Sequence, residues 1–315
     1  MAIAGANIQL DSTEGMDKIT QTDKVTSPYF SNSATTLTAP VSSSLTDTNE
    51  TYFFGISNST TPTVEEFNVA FGDTSGHGSL VEANTKAETE AIYKQYANLL
   101  LAPTEVTGGF IISSPGSHAN AKTSGRDEEI FVMSARRSNM KDRINKGTWT
   151  ITLSGSKSNL TAAPKLELTD DSVNDSPTAT PVGDRYNIVS GSAGTVQTAA
   201  TVKNYGFFYP DMGILVFSQH ELSASIPGGA GEVNGVVQFA SSSQLGFTTA
   251  GTTNANSKQA LRFVNCLTKG SMTFRDEEDQ VSAQYFCRVY SGQANFSNNP
   301  TFVSGSENKL RNDKM

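Results

Sequence analysis

Large apolar side chains alternate with polar ones in several short stretches of this chain. The alternation is clearest in residues 65–71 and 147–154, and an aromatic-rich stretch covers 51–57. A repeat of two residues is typical of a strand that buries one face. These three stretches are therefore predicted to be strands, and 109–113 and 128–135 are predicted to be further strands.

The most hydrophobic part of the chain is predicted to form a hairpin. Two apolar runs, 205–209 and 214–217, flank the sequence Pro-Asp-Met-Gly. Proline followed by glycine favours a tight turn between the two runs. Residues 272–275 and 283–290 are predicted to be two more strands, joined by an acidic turn at 276–279.

Two modest helices are predicted. Residues 85–101 place Ile92, Tyr96, Leu99 and Leu100 on one face, and Glu90 with Lys94 has the spacing of a favourable ion pair along a helix. Residues 257–267 have a similar apolar spacing. A short helical segment is also expected within 137–144.

These elements predict a mainly β fold with β-sandwich-like sheets, two modest helices, long loops and an extended N-terminal arm. Residues 1–48 contain few large apolar groups, so they are interpreted as an arm that neighbouring subunits hold in place. Residues 49–154 are predicted to be a β-rich domain with one helix. Residues 155–203 are expected to be a polar insertion, and 204–315 a C-terminal β-rich region with one helix that shares a sheet or core with 49–154.

Composition and charge narrow the classes of function. The 315 residues carry a net charge of −8, and only 17% of them are charged. An acidic chain is repelled by phosphate, so no nucleic-acid partner is expected. No apolar run is long enough to span a bilayer, and the first residues do not resemble a secretion signal. We therefore expect no membrane partner and synthesis in a cytoplasm.

No group of residues points to catalysis. The three histidines, His77, His118 and His220, stand far apart, without a second ligand at metal-binding spacing. Cys266 and Cys287 lie among apolar residues and are predicted to be buried thiols. The acidic cluster at 170–175 lacks the spacing of a calcium loop, so a solvated loop is expected there. We predict a protein that is not an enzyme and has no cofactor, metal or catalytic residue.

Several segments, in the same order along the chain, resemble virion structural proteins of contractile-tailed bacteriophages of the marine and cyanobacterial myovirus type. They are TYFFGIS, FNVAFGDTSGHGS with the AIYKQYANLLL that follows it, the IFVMSARRSNMKDRINKGTWTITLSG stretch, YGFFYPDMGILVF, and FRDEEDQVSAQYFCRVYSGQANFSNNPTFVSG near the C-terminus. This resemblance covers about half of the chain. It implies a structural role in the virion, in the tail or baseplate, with other virion proteins and copies of itself as partners. The resemblance brings no catalytic residue.

Two segments are candidates for contacts in such an assembly. The basic cluster at 136–143 could pair with an acidic patch on another subunit. The segment at 295–302 could pin its aromatic groups into a neighbour, or it could be a tight connection within one domain. The alternatives for function are a head-decoration, collar or neck protein, and a carbohydrate-binding adhesin that would need exposed aromatic groups. The candidate contact residues are Arg136, Arg137, Lys141, Arg143, Asn295, Phe296, Asn298, Asn299, Pro300 and Phe302.

Overall fold

The computed structural model describes residues 16–43, 52–76, 88–112, 125–154, 165–198, 203–223, 260, 263–287, 303–304 and 309–310. The chain divides into two units. The larger unit is Val25–Glu278, and the smaller unit combines Met1–Lys24 with Asp279–Met315. Strands dominate the described residues, which confirms the prediction of a mainly β protein.

The strands are numbered in chain order. They are β1 Met16–Pro28, β2 Thr36–Thr38, β3 Val41–Ser42, β4 Phe53–Ser57, β5 Glu65–Asp73, β6 Glu129–Ala135, β7 Arg143–Ile144, β8 Thr150–Ser154, β9 Lys165–Asp170, β10 Thr178–Thr180, β11 Gly183–Ser192, β12 Thr195–Val196, β13 Asn204–Tyr209, β14 Ile214–Ser218, β15 Ser271–Thr273, β16 Arg275–Cys287, β17 Val303–Ser304 and β18 Lys309–Leu310. The helices are α1 Glu88–Leu100, α2 Gln219–Ser223 and α3 at 263–268, and a 3-10 turn covers Arg137–Asn139.

One large curled sheet forms most of the larger unit. Its strand order is β2-β15-β8-β9-β11-β13-β14-β6-β5-β4-β3, with β10 and β12 attached to β11. The two strands at the ends of this order, β2 and β3, are separated in the chain by Ala39 and Pro40 alone. Ala39 has a φ of 46° and donates its N–H to the Gly270 oxygen at 3.0 Å. The sheet therefore closes on itself through one bent segment.

The central strands of this sheet are buried on both faces. On β6 and β14, Phe131 and Phe217 point to the inner core, whereas Val132 and Val216 point to a second core on the outer face. Alternation still holds along each strand, but both faces are apolar because each face is covered. The hairpin prediction is confirmed, because β13 pairs with β14 and Gly213 takes a φ of +66° in the turn.

Helices cover the two faces of the sheet. Inside, α3 buries Phe263, whose ring stacks on Phe131 with centroids 4.8 Å apart. Outside, α1 packs against β5, where Gly72 allows close approach because a Cβ there would lie 3.1 Å from the Tyr93 Cα. The helix and its Glu90–Lys94 pair are confirmed. The predicted face was partly wrong, since Leu99 is 38% exposed. The buried residues are Thr89, Tyr93, Ala97 and Leu100.

Part of the predicted N-terminal arm belongs to the core of the larger unit. Tyr29 and Phe30 are 1% and 2% exposed, and both rings pack against Phe67. The Tyr29 hydroxyl donates to the Glu66 backbone oxygen at 2.9 Å and accepts the Arg136 N–H at 3.0 Å. The prediction that neighbouring subunits hold this segment is therefore wrong for the stretch that carries these aromatic rings. Residues 1–15 and 44–48 of the predicted arm lie outside the described residues.

Three further predictions are corrected by the sheet. The expected insertion at 155–203 supplies β9 and β11, which lie in the middle of the strand order. Residues 109–112 form no strand, although Phe110 and Ile112 are buried. The expected acidic turn at 276–279 lies within β16, which runs without a break from Arg275 to Cys287.

Candidate assembly surface

The base of β16 is fixed to the segment that contains β7. The Asp276 carboxylate accepts the Lys141 backbone N–H at 2.9 Å, and the Ser27 hydroxyl lies 3.5 Å from its other oxygen. Asp276 is 1% exposed. Burial raises the pKa of its carboxyl above the usual range, while the Lys141 N–H acts in the opposite direction. Backbone pairing of Asp276 with Ile144 completes this attachment.

The next two acidic side chains pair with two members of the basic cluster. Glu277 accepts a hydrogen bond from Arg143 Nε at 2.8 Å and a second one from the Asn145 amide. Glu278 pairs with Lys141 Nζ at 2.8 Å. The charges that the sequence suggested for another subunit thus meet within one chain. The local sequence pattern could not predict these ion pairs, because the paired residues are more than a hundred positions apart in the chain.

Arg136 and Arg137 are the other two members of the cluster, and both are exposed. Their guanidinium groups donate to the backbone oxygens of Glu65 and Asp142, each at 3.3 Å. Arg136 also lines an open groove of about 430 Å³ beside Glu65. Their role as contacts to another subunit stays a prediction. The other candidate contacts, at 295–302, lie outside the described residues.

The outer half of β16 is more exposed than its base. Val281 and Tyr285 are 64% and 57% exposed, and Ala283 between them is exposed as well. Because every second residue of a strand points to the same face, these three side chains form one apolar stripe. We call Val281, Ala283 and Tyr285 the β16 stripe. Three such groups on one exposed strand face are typical of a surface that a partner covers.

Few neighbouring strands flank this part of β16. In the three-stranded sheet the order is β1-β16-β7, and β7 pairs with β16 at Asp276 and Glu277. Beyond that point β1 is the one strand that the described residues place beside β16. Residues 20–24 of β1 are also exposed. A two-stranded ribbon with exposed faces is marginally stable by itself in water.

Two carboxylates of the acidic cluster at 170–175 accept hydrogen bonds from the backbone. Asp170 and Asp171 are 0% and 4% exposed, which corrects the expectation of a solvated loop for these two residues, whereas Asn174 and Asp175 are exposed as expected. Asp170 accepts the Gly147 N–H at 2.9 Å, and Asp171 accepts the Asn187 N–H at 2.9 Å. Burial raises the pKa of both carboxyls. In the described part of the chain, no three His, Cys, Asp or Glu residues gather in a way that could hold a metal ion.

The cysteine, histidine and aromatic candidates have the following positions. Cys266 is a buried thiol, as predicted, and the Cys287 side chain lies outside the described set. His220 lies in α2, whereas His77 and His118 fall outside the described residues. Trp149 and the aromatic residues of β13 are buried. That burial counts against a groove in which these aromatic rings would stack on a sugar.

Among the described residues, no helix has the length and apolar character needed to cross a bilayer. No protein-family model matches the chain, and neither a curated protein nor a solved structure is detectably similar to it.

Proposed function

We propose that this chain is a structural subunit of a tailed-bacteriophage virion, located in the tail or baseplate, which acts by assembling with other virion proteins and with copies of itself. It is made in the host cytoplasm and functions in the particle. The single observation that carries this proposal is the exposed ribbon of β1 and β16 with its apolar stripe. The particular assembly, a phage tail or baseplate, is proposed because several segments resemble, in the same order, tail proteins of contractile phages.

Physical chemistry supports a role in assembly for this ribbon. Val281 and Tyr285 leave more than half of their surfaces in water, although each would be stabilised by burial. Burying a large apolar side chain contributes roughly 1.5–3 kcal/mol. A partner surface would therefore gain free energy from the stripe while it stabilises the ribbon.

Buried contacts within the larger unit anchor the first residues of β16. Asp276 and Glu277 are buried and hydrogen-bonded to residues on both sides of β7. Removal of one partner from a buried ionic contact is strongly destabilising. β16 is therefore held firmly within the larger unit up to the point where the exposed part of the strand begins.

Replacement of Val281 tests this proposal. Val281→Glu places a charge in the stripe, and burial of that charge in an interface is costly. We expect the variant to fold, but to be lost from purified particles when it is supplied in infected cells in place of the wild-type protein. Quantitative mass spectrometry of the particles measures incorporation, and circular dichroism of the purified protein measures folding.

Val173 provides a matched control. It is 65% exposed, nearly the same as Val281, and lies in a turn of the larger unit. Val173→Glu should be incorporated normally. Normal incorporation of Val281→Glu, or absence of the wild-type chain from particles, would refute the proposal, and a high copy number over the head would favour the decoration alternative.

A further inference from the structure

An open groove lies beside β3, β4 and β5, which are neighbours in the large sheet. Its volume of about 430 Å³ is within the range of about 300–1,000 Å³ that small-molecule sites occupy. Its lining combines a carboxylate, a guanidinium, an amide and several hydroxyl groups, including those of Glu65, Arg136, Asn68, Ser42 and Thr63. All of these residues belong to the larger unit, so the groove is complete within it.

Two of the polar groups in the groove lack a hydrogen-bond partner among the described residues. They are Ser42 Oγ and Asn68 Oδ1, and both atoms are shielded from water. A buried polar atom that is left without a partner costs about 1–3 kcal/mol. Because both residues line the groove, a ligand that carries hydroxyl or N–H groups can supply the missing hydrogen bonds.

The groove also holds two exposed side chains of opposite charge. The Glu65 carboxylate lies over Gly55, since a Cβ at Gly55 would collide with it. The Arg136 guanidinium donates to the Glu65 backbone oxygen at 3.3 Å. Pairs of exposed charges contribute only about 0–1 kcal/mol, and the opposite signs favour neither a cation nor an anion. A carboxylate accepts hydrogen bonds and a guanidinium donates them, so together they suit a neutral group that does both.

The walls of the groove are held in place by contacts within the chain. β3 pairs with β4, and β4 pairs with β5. The loop that carries Pro62 and Thr63 is fixed by Asn58, whose side-chain oxygen accepts the Thr60 N–H at 3.0 Å. Asn58 is itself 3% exposed. A groove that is already ordered loses little conformational entropy when a ligand binds.

We infer that this groove binds a single sugar unit of a polysaccharide chain. Each hydroxyl group of a sugar both donates and accepts hydrogen bonds, which matches the Glu65 carboxylate, the Arg136 guanidinium and the unpartnered Asn68 oxygen. The sugar is neutral, as the paired charges require. Because the groove is open, the chain can continue beyond the bound unit. This is a second function, which uses other residues than the β16 stripe does.

The binding at one groove is weak. The described lining residues include no aromatic ring, so stacking on a sugar face adds nothing to the affinity. We expect a dissociation constant on the order of 1 mM for one sugar unit. Several copies of the chain in one assembly would bind one polysaccharide at several points, which raises the overall affinity without any new contact.

Saturation-transfer NMR on the full-length protein measures binding in this range of affinity. The probes are glucose with dextran, mannose with mannan, and N-acetylglucosamine with chitotriose, so each free sugar is compared with a chain of the same unit. Glycine is included as a zwitterion that could pair with both charges. We expect transfer to at least one sugar and to its chain, and no transfer to glycine.

Two neighbouring arginines provide matched variants. Arg136 and Arg137 are both exposed, and each guanidinium donates to a backbone oxygen at 3.3 Å, but of the two it is Arg136 that lines the groove. Arg136→Ala should weaken sugar binding by at least about tenfold, because a charged hydrogen bond is lost. Arg137→Ala should leave the binding unchanged.

Asn68→Ala tests the unpartnered amide oxygen. It should weaken sugar binding by about threefold to tenfold, because one neutral hydrogen bond to the ligand is lost. The midpoint of urea unfolding should stay near that of the wild-type protein, because Asn68 Oδ1 has no hydrogen-bond partner to lose among the described residues. Circular dichroism of each variant verifies that it is folded.

The outcomes decide the inference without reference to the virion. Absence of transfer to all three sugars, transfer to glycine instead, or equal loss in the two arginine variants would overturn it. Binding of a free sugar without binding of its chain would overturn it as well, because an open groove admits a unit inside a chain. Incorporation of Val281→Glu into particles is measured separately, so the proposed function can stand or fall by itself.

Discussion

The buried carboxylate of Glu277 provides the sharpest test of how β16 is anchored. Its side chain is 4% exposed, and it accepts a hydrogen bond from Arg143 Nε at 2.8 Å. The Asn145 amide donates a second hydrogen bond to the other carboxylate oxygen. Glu277→Ala removes the acceptor for both donors and leaves them in a largely buried place.

The expected loss follows from the exposure of the two donors. The Arg143 side chain is 23% exposed, so part of its guanidinium can regain water. Asn145 is 8% exposed, and a buried donor that loses its acceptor costs about 1–3 kcal/mol. With the lost charged hydrogen bond included, we expect the free energy of unfolding to fall by about 2–4 kcal/mol.

Urea unfolding followed by tryptophan fluorescence measures this loss. Trp149 is the single tryptophan and is fully buried, so its emission reports unfolding of the larger unit. The midpoint should shift while the slope stays unchanged. Glu278→Ala is the matched control, because Glu278 pairs with the exposed Lys141 and water solvates both groups. Equal losses in the two variants, or a loss below about 1 kcal/mol for Glu277→Ala, would contradict this account.

Three further predictions concern the larger unit. Burial raises the pKa of Asp170, so the folded state keeps a proton that the unfolded chain has released, and stability falls as pH rises above the usual carboxyl range. Asp170→Asn should reduce that fall in urea midpoints taken from about pH 4 to 7; an unchanged pH slope would contradict it. Gly213→Ala should lower the free energy of unfolding by about 1–2 kcal/mol, because φ at this position is +66°. Gly108→Ala should be nearly neutral, because a Cβ there would meet no atom closer than 3.5 Å. Equal effects of the two substitutions would contradict the turn geometry. Phe263→Ala should lower the free energy of unfolding by about 3–5 kcal/mol, much more than Leu99→Ala on the exposed side of α1, and similar losses would contradict the inner position of α3.

Local patterns were sufficient for several elements of the fold. The hairpin of β13 and β14 follows from two apolar runs around a Pro-to-Gly turn, and all of this information lies within about a dozen residues. The helix at Glu88–Leu100 was predicted, but its buried side was partly misplaced. Period alone could not decide between Leu99 and Tyr93, because the choice depends on which side meets β5.

The contacts of the charged residues could not be predicted from the sequence alone. Asp276 and Glu277 resemble a solvated turn when only their neighbours in the chain are considered. Their burial follows from contacts to Lys141, Arg143 and Asn145, more than a hundred positions away. The basic cluster was found, but its partners within the chain were not. The role of these residues as contacts to other subunits remains a prediction.

By itself, the sequence determined the mainly β class, most of the strands between Phe53 and Ser218, and the presence of modest helices. Alternation and turn chemistry are local properties, and the chain carries them wherever it folds. Only the tertiary structure decided that the sheet closes through β2 and β3, that polar strands such as β9 lie in its middle, and that Tyr29 belongs to the core. These features depend on pairings between segments that are distant in the chain. The free energy of such a pairing comes from the burial of both partners together, so the sequence of one segment alone does not determine it.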